Sequence, residues 1–273
     1  MQNVDKTERF PEAERLSTMA ATILLAYALT RYIDLPARTF DLQLPGIYLS
    51  FEVNVHIVVA LLVAGLTASG ANWLIQDHPA LGKRSSIPHW ILPSLTALTI
   101  SLPLSQLPQS TIWWVGFAIG GVILISVLIA EYIVVDPSDL RYQLASAGLT
   151  AVSFALYLIL AAGLSFAGIR LFLLFPALFI AGGLVSLRAL NLRLYGKWPY
   201  SYALITALIT SQLAAALHYW PLSPVAYGLI LLGPAYALTN FFGTLDEGEP
   251  FQQALIEPLT ILILVILIAI WLG

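Results

Sequence analysis

From Leu16 to Leu272 the chain alternates between long apolar runs and short polar joints. A helix needs about 20 mainly apolar residues to cross a bilayer. On that measure the pattern predicts nine membrane helices, at about 16–33, 52–75, 89–107, 111–135, 140–164, 167–188, 199–220, 223–242 and 251–272. Several joints carry turn chemistry, as in Leu107-Pro108-Gln109-Ser110, Asp136-Pro137-Ser138-Asp139 and Trp220-Pro221-Leu222-Ser223-Pro224. The third run is broken by Pro93 and Pro103, and if two short runs form one re-entrant element the count falls to eight. Residues 34–51, with two prolines and two acids, are expected to form an ordered cap or a short interfacial segment.

Composition agrees with this reading. Hydrophobic residues make up 59% of the 273 positions and charged residues 10%, against roughly 25% charged in a soluble domain. The fold class is therefore all-α and integral to the membrane. The net charge of −3 gives no support to a nucleic-acid partner. With no cysteine, disulfides, thiol catalysis and thiolate metal sites are excluded. Residues 1–15 mix acids and bases and lack a small-residue cleavage site, so they read as a cytoplasmic segment before a retained first helix.

The cations set an orientation. With the N-terminus inside, Lys6, Arg9, Arg15, Lys83, Arg84, Arg141, Arg188, Arg193 and Lys197 are cytoplasmic, and Arg31, Arg38 and Arg170 are outside. Nine against three places the C-terminus outside, in what reads as a bacterial inner membrane. Trp90, Trp113, Trp114, Trp198, Trp220 and Trp271 fall near the ends of runs and read as interfacial anchors.

A shift of 110 residues relates Thr96-Ala97-Leu98 and Ser101 to Thr206-Ala207-Leu208 and Ser211, Asp136 to Asp246, Asp139 to Glu249, and Gln143 to Gln253. This predicts a tandem duplication, 52–164 and 167–272, with helix 16–33 added in front. Four helices per unit insert both copies the same way up, as in parallel-repeat membrane proteins.

Nine helices with cytoplasmic loops after the second and sixth resemble the UbiA-type membrane prenyltransferases. In that family both loops carry aspartate-rich motifs whose carboxylates hold Mg²⁺ on an isoprenoid diphosphate. The first loop here offers Asn72 and Asp77, then Lys83-Arg84; the second, Arg188 to Lys197, has no acid at all. The resemblance covers topology and no diagnostic motif, so Mg²⁺-diphosphate chemistry is not expected and no cofactor or metal is assigned. The chain also resembles bacterial polytopic membrane families with no assigned function.

The candidate chemistry falls into two groups. Glu257, before Pro258, and Glu131 are carboxylates inside apolar runs, which must be neutral, paired or wet. Glu52 and His56, four apart at the outer start of helix two, would share a helix face that His218 could reach. These five are the candidate lining of a polar cavity. Lys83, Arg84, Arg188, Arg193 and Lys197 are topology anchors that could also contact a lipid headgroup or another anion. Asp77-His78-Pro79 reads as a helix boundary before it reads as an acid–base pair. There is no P-loop, G-x-G-x-x-G, H-E-x-x-H or G-x-S-x-G signature.

The expected function is that of a non-catalytic or accessory membrane protein with a lipid- or isoprenoid-binding cavity between its repeats. Its partners would be membrane lipids and a hydrophobic small molecule. The alternatives are a small-solute transporter using the repeat interface, and a metal-independent lipid-modifying enzyme.

Overall fold

The structure is a computed structural model that describes residues 11–30, 38–44, 47–53, 55–82, 84–108 and 110–272. Among these, nine helices run in chain order: α1 (Ala13–Thr30), α2 (Val55–Ile75), α3 (Pro88–Gln106), α4 (Thr111–Ile133), α5 (Tyr142–Phe166), α6 (Leu171–Arg193), α7 (Tyr200–Leu217), α8 (Pro224–Asp246) and α9 (Phe251–Leu272). Seven of them, all but α1 and α3, are long and apolar enough to cross a membrane. The protein is a polytopic, helical integral membrane protein.

Over the segment expected as a cap and the first two residues of the second expected helix, two strands pair antiparallel, β1 (Arg38–Leu44) and β2 (Ile47–Val53), with Arg38 opposite Val53 and Leu44 opposite Ile47. Alternation in RTFDLQL and IYLSFEV suits a strand better than a helix. Glu52 therefore belongs to β2 while His56 belongs to α2, so the helix face expected to join them does not form. Their side chains lie outside the described residues.

The weakest predicted span, α3, packs against α2, α4, α5 and α6. A helix surrounded by other helices need not be apolar, provided its polar groups find partners. Accordingly Ser94, Thr96, Ser101 and Ser105 donate to carbonyls of their own helix. At the other extreme α9 leaves most of its apolar surface exposed, including Ile263, Leu264, Leu267 and Trp271. Its neighbour is α8, and lipid is the natural solvent for the rest.

Polar turns join α2 to α3, α4 to α5, α6 to α7 and α8 to α9 at one end of the bundle, and hydrogen bonds and an ion pair tie the last three together. The second of these turns bonds across to the third, where the Tyr142 hydroxyl donates to the Leu192 carbonyl (3.0 Å). The third bonds to the fourth through Lys197 and Asp246 (3.0 Å). This turn end positions the candidate site.

Candidate functional site

Helix α6 continues to Arg193, past its expected stop at residue 188. The extra turn carries Arg188 into the interior instead of leaving it in a loop. Its guanidinium is about 2% exposed and pairs with Glu131 of α4, which is fully buried. Arg188 Nε donates to Glu131 Oε1 (3.1 Å), and Nη1 donates to Asn191 Oδ1 (2.7 Å). His89 of α3 places Nδ1 2.8 Å from Glu131 Oε2; with the proton on Nδ1 it donates there. Asn191 Nδ2 in turn donates to the Lys197 carbonyl (3.1 Å). One carboxylate thus joins three helices in a closed, internally satisfied knot.

Tyr142, bonded through its hydroxyl to the Leu192 carbonyl, lines a cavity of about 490 Å³ between α5, α6 and α8. This volume is ordinary for a small-molecule site, roughly 300–1,000 Å³. Space exists because α5 presents Ser146, Ala147, Thr150 and Ala151 on this side. At the turn end the Tyr142 and Tyr195 rings stack at 5.9 Å. At the deep end Phe154 meets Tyr236 edge-on at 5.2 Å. Phe154 lies twelve positions beyond Tyr142 on α5, about 18 Å at helical rise. Tyr195 holds its place in the left-handed region (φ 51°), next to Gly196 (φ 91°). The turn is closed by the Gly196 amide donating to the Asn191 carbonyl (2.8 Å).

Arg193 lines the cavity with its stem, but its head is spent. Nε and Nη2 donate to the two oxygens of Glu247, both at 2.7 Å. Nη2 also donates to Thr244 Oγ1 (3.1 Å), and Nη1 donates to the carbonyl and side-chain oxygens of Asn240. All five N–H groups of the guanidinium have acceptors. Gly243 makes this possible, because a Cβ there would lie 2.9 Å from Arg193 Cδ and Nη1.

The remaining candidates are scattered. Lys197 pairs with Asp246. Arg84 is exposed, and Lys83 lies outside the described residues. His218 follows α7 and meets Tyr219 edge-on at 4.6 Å. Glu257 is exposed on α9 and does not line the cavity. Asp77 pairs with Arg15 of α1, and His78 Nδ1 accepts from the Ala80 amide (3.1 Å), which fits a helix boundary. Among the described residues no group of three His, Asp or Glu could hold a metal ion.

Sequence reasoning singled out Glu131 and Arg188 separately but did not pair them, and it missed His89, Asn191, Tyr142 and Tyr195. The available signal was arithmetical. Arg188 is the only cation in 171–192, and Glu131 is the only acid in 111–135. Two lone opposite charges within apolar runs invite pairing.

A bundle of apolar helices with a buried ionic knot and an open pocket at one end defines a polytopic membrane protein. The family model described as a protein of unknown function (DUF5656) matches residues 35–272, and the chain belongs to that family. No curated protein and no solved structure matches it. The topological likeness to UbiA-type enzymes gains no support from these comparisons.

Proposed function

We propose that this protein holds a hydrophobic or amphipathic small molecule in the cavity between α5, α6 and α8, and that it binds without catalysing. The observation that carries this reading is the cavity's lining. It is mainly aliphatic and aromatic, with no carboxylate, imidazole or thiol, and its one cation is fully engaged by Glu247, Thr244 and Asn240. If the chain is divided into repeats 52–164 and 167–272, α5 belongs to one and α6 and α8 to the other. The cavity then lies on the seam.

The alternatives are less well supported. Transport through Glu257 is not favoured, since that carboxylate is exposed on α9 and is not part of the cavity lining. Headgroup chemistry at the basic turns loses Arg188, Arg193 and Lys197 to carboxylates. Following the positive-inside bias, we place the turn end in the cytoplasm of a bacterial cell.

The test is native mass spectrometry of the protein released from mild detergent, beside an Ala151→Phe variant that fills the cavity. Wild type should retain an apolar adduct that the variant loses. An adduct held equally by both variants would sink the reading.

A further inference from the structure

On the reading that the cavity is a binding site, we infer that its ligand has an uncharged, hydroxyl-bearing head, of the diacylglycerol or long-chain alcohol class. Phospholipids and prenyl diphosphates are thereby disfavoured. The argument starts from charge. A phosphate placed against this lining would find no uncommitted cation to pair with, so the site gives it no charge-assisted contact to set against a neutral head. Arg193 has no N–H to give without leaving Glu247, Thr244 or Asn240. Leaving would also strand the Glu247 carboxylate. Lys197 is held by Asp246, and Arg188 is buried against Glu131.

Several neutral polar groups on the lining remain uncommitted. The hydroxyls of Tyr142, Thr150 and Thr239 already donate to the carbonyls of Leu192, Ser146 and Ala235. By contrast the Gln143 amide and the Ser146 hydroxyl engage no other described side chain or backbone group. They sit three apart on α5, at the Tyr142 end of the cavity. Residues three apart share a helix face. They can donate to and accept from a free hydroxyl, the group that a diacylglycerol or long-chain alcohol presents where a phospholipid carries its phosphate. Beyond them Ala147, Ala151 and Phe154 offer an apolar track toward Tyr236, which suits a hydrocarbon chain.

The experiment uses the full chain, delipidated in detergent and offered dioleoylglycerol or dioleoyl phosphatidic acid in separate arms. Occupancy is read by native mass spectrometry and confirmed by thermal shift. Dioleoylglycerol should be preferred by about tenfold or more, and Gln143→Leu with Ser146→Ala should erase about that factor. Gln143 is exposed and Ser146 only half-buried, so the double variant should fold. Ala151→Phe should reduce occupancy in either arm. Equal or better binding of phosphatidic acid, blocked by Ala151→Phe, overturns the uncharged head and leaves the cavity standing. Binding of neither lipid by wild type, or binding untouched by Ala151→Phe, overturns the cavity reading itself.

Discussion

Arg188 of α6 sets its guanidinium on the carboxylate of Glu131 in α4, and neither side chain has appreciable contact with solvent. Such a pair adds little stability when intact, because each charge has lost its solvation. Breaking it is costly, since the survivor stays buried and unpaired. Glu131→Gln or Arg188→Met alone should destabilise the protein by about 3–5 kcal/mol. The double variant should recover a large share. Thermal unfolding of all four proteins in one detergent gives the coupling directly. If the double variant is as damaged as the sum of the singles, the two groups are not coupled.

A second prediction concerns close approach at the turn end. Gly243→Ala places a methyl 2.9 Å from the Arg193 side chain. The guanidinium must then move off Glu247, Asn240 and Thr244. We expect a loss of about 1–3 kcal/mol, the usual range for overpacking. The control is Gly148→Ala on α5, where nothing lies within 4 Å of an added Cβ. That change should be neutral or stabilise by up to about 1 kcal/mol, because alanine is the better helix former. Melting temperatures that fall together in both variants would show that the effect is not Arg193's.

How much of this was legible follows from which forces are local. Helix positions came from apolar runs, because a bilayer demands them of each segment separately. Seven of the nine runs meet that demand on their own, while α3 is recognisable as interior only once its neighbours surround it. The end of α6 lies beyond its expected stop because Arg188, which a local pattern reads as a topology anchor, is an interior residue. Its burial depends on Glu131, 57 positions earlier, and no local pattern reports that separation. Likewise the cavity arises from small residues on α5 facing two distant helices. The hairpin was missed because a cap was expected where the alternation of residues 38–44 and 47–53 favours strands.

The turn after α4 gives a pH prediction. The Asp136 carboxylate accepts from the Ser138 hydroxyl (2.6 Å) and amide (2.9 Å). The hydroxyl bond, then the amide bond, holds its pKa below the ordinary aspartate value, with a smaller contribution from the nearby His78 ring. A carboxylate whose folded pKa is depressed contributes stability that is complete above the unfolded value, about pH 3.9. That contribution disappears as pH falls through the lower folded value. Ser138→Ala should therefore be slightly less stable than wild type at neutral pH, by under about 1 kcal/mol because water screens this exposed site. The gap should close in strong acid. Paired melting curves across pH measure it, and a gap that widens on acidification would contradict the assignment.

Orientation can be tested cleanly because the chain has no cysteine. Single cysteines at Ser85, in the exposed turn between α2 and α3, and at Tyr219, exposed after α7, report opposite ends of the bundle. With the cation-rich turns in the cytoplasm, a membrane-impermeant maleimide applied to intact cells should label Tyr219→Cys and spare Ser85→Cys. Lysis should expose both. This outcome matters for the cavity as well. Its Tyr142–Tyr195 end is the turn end, so the same result would place the ligand's head at the cytoplasmic face and its chain toward the bilayer centre. Labelling of Ser85→Cys in intact cells would invert the arrangement, and a ligand entering from the cytoplasmic leaflet would no longer fit.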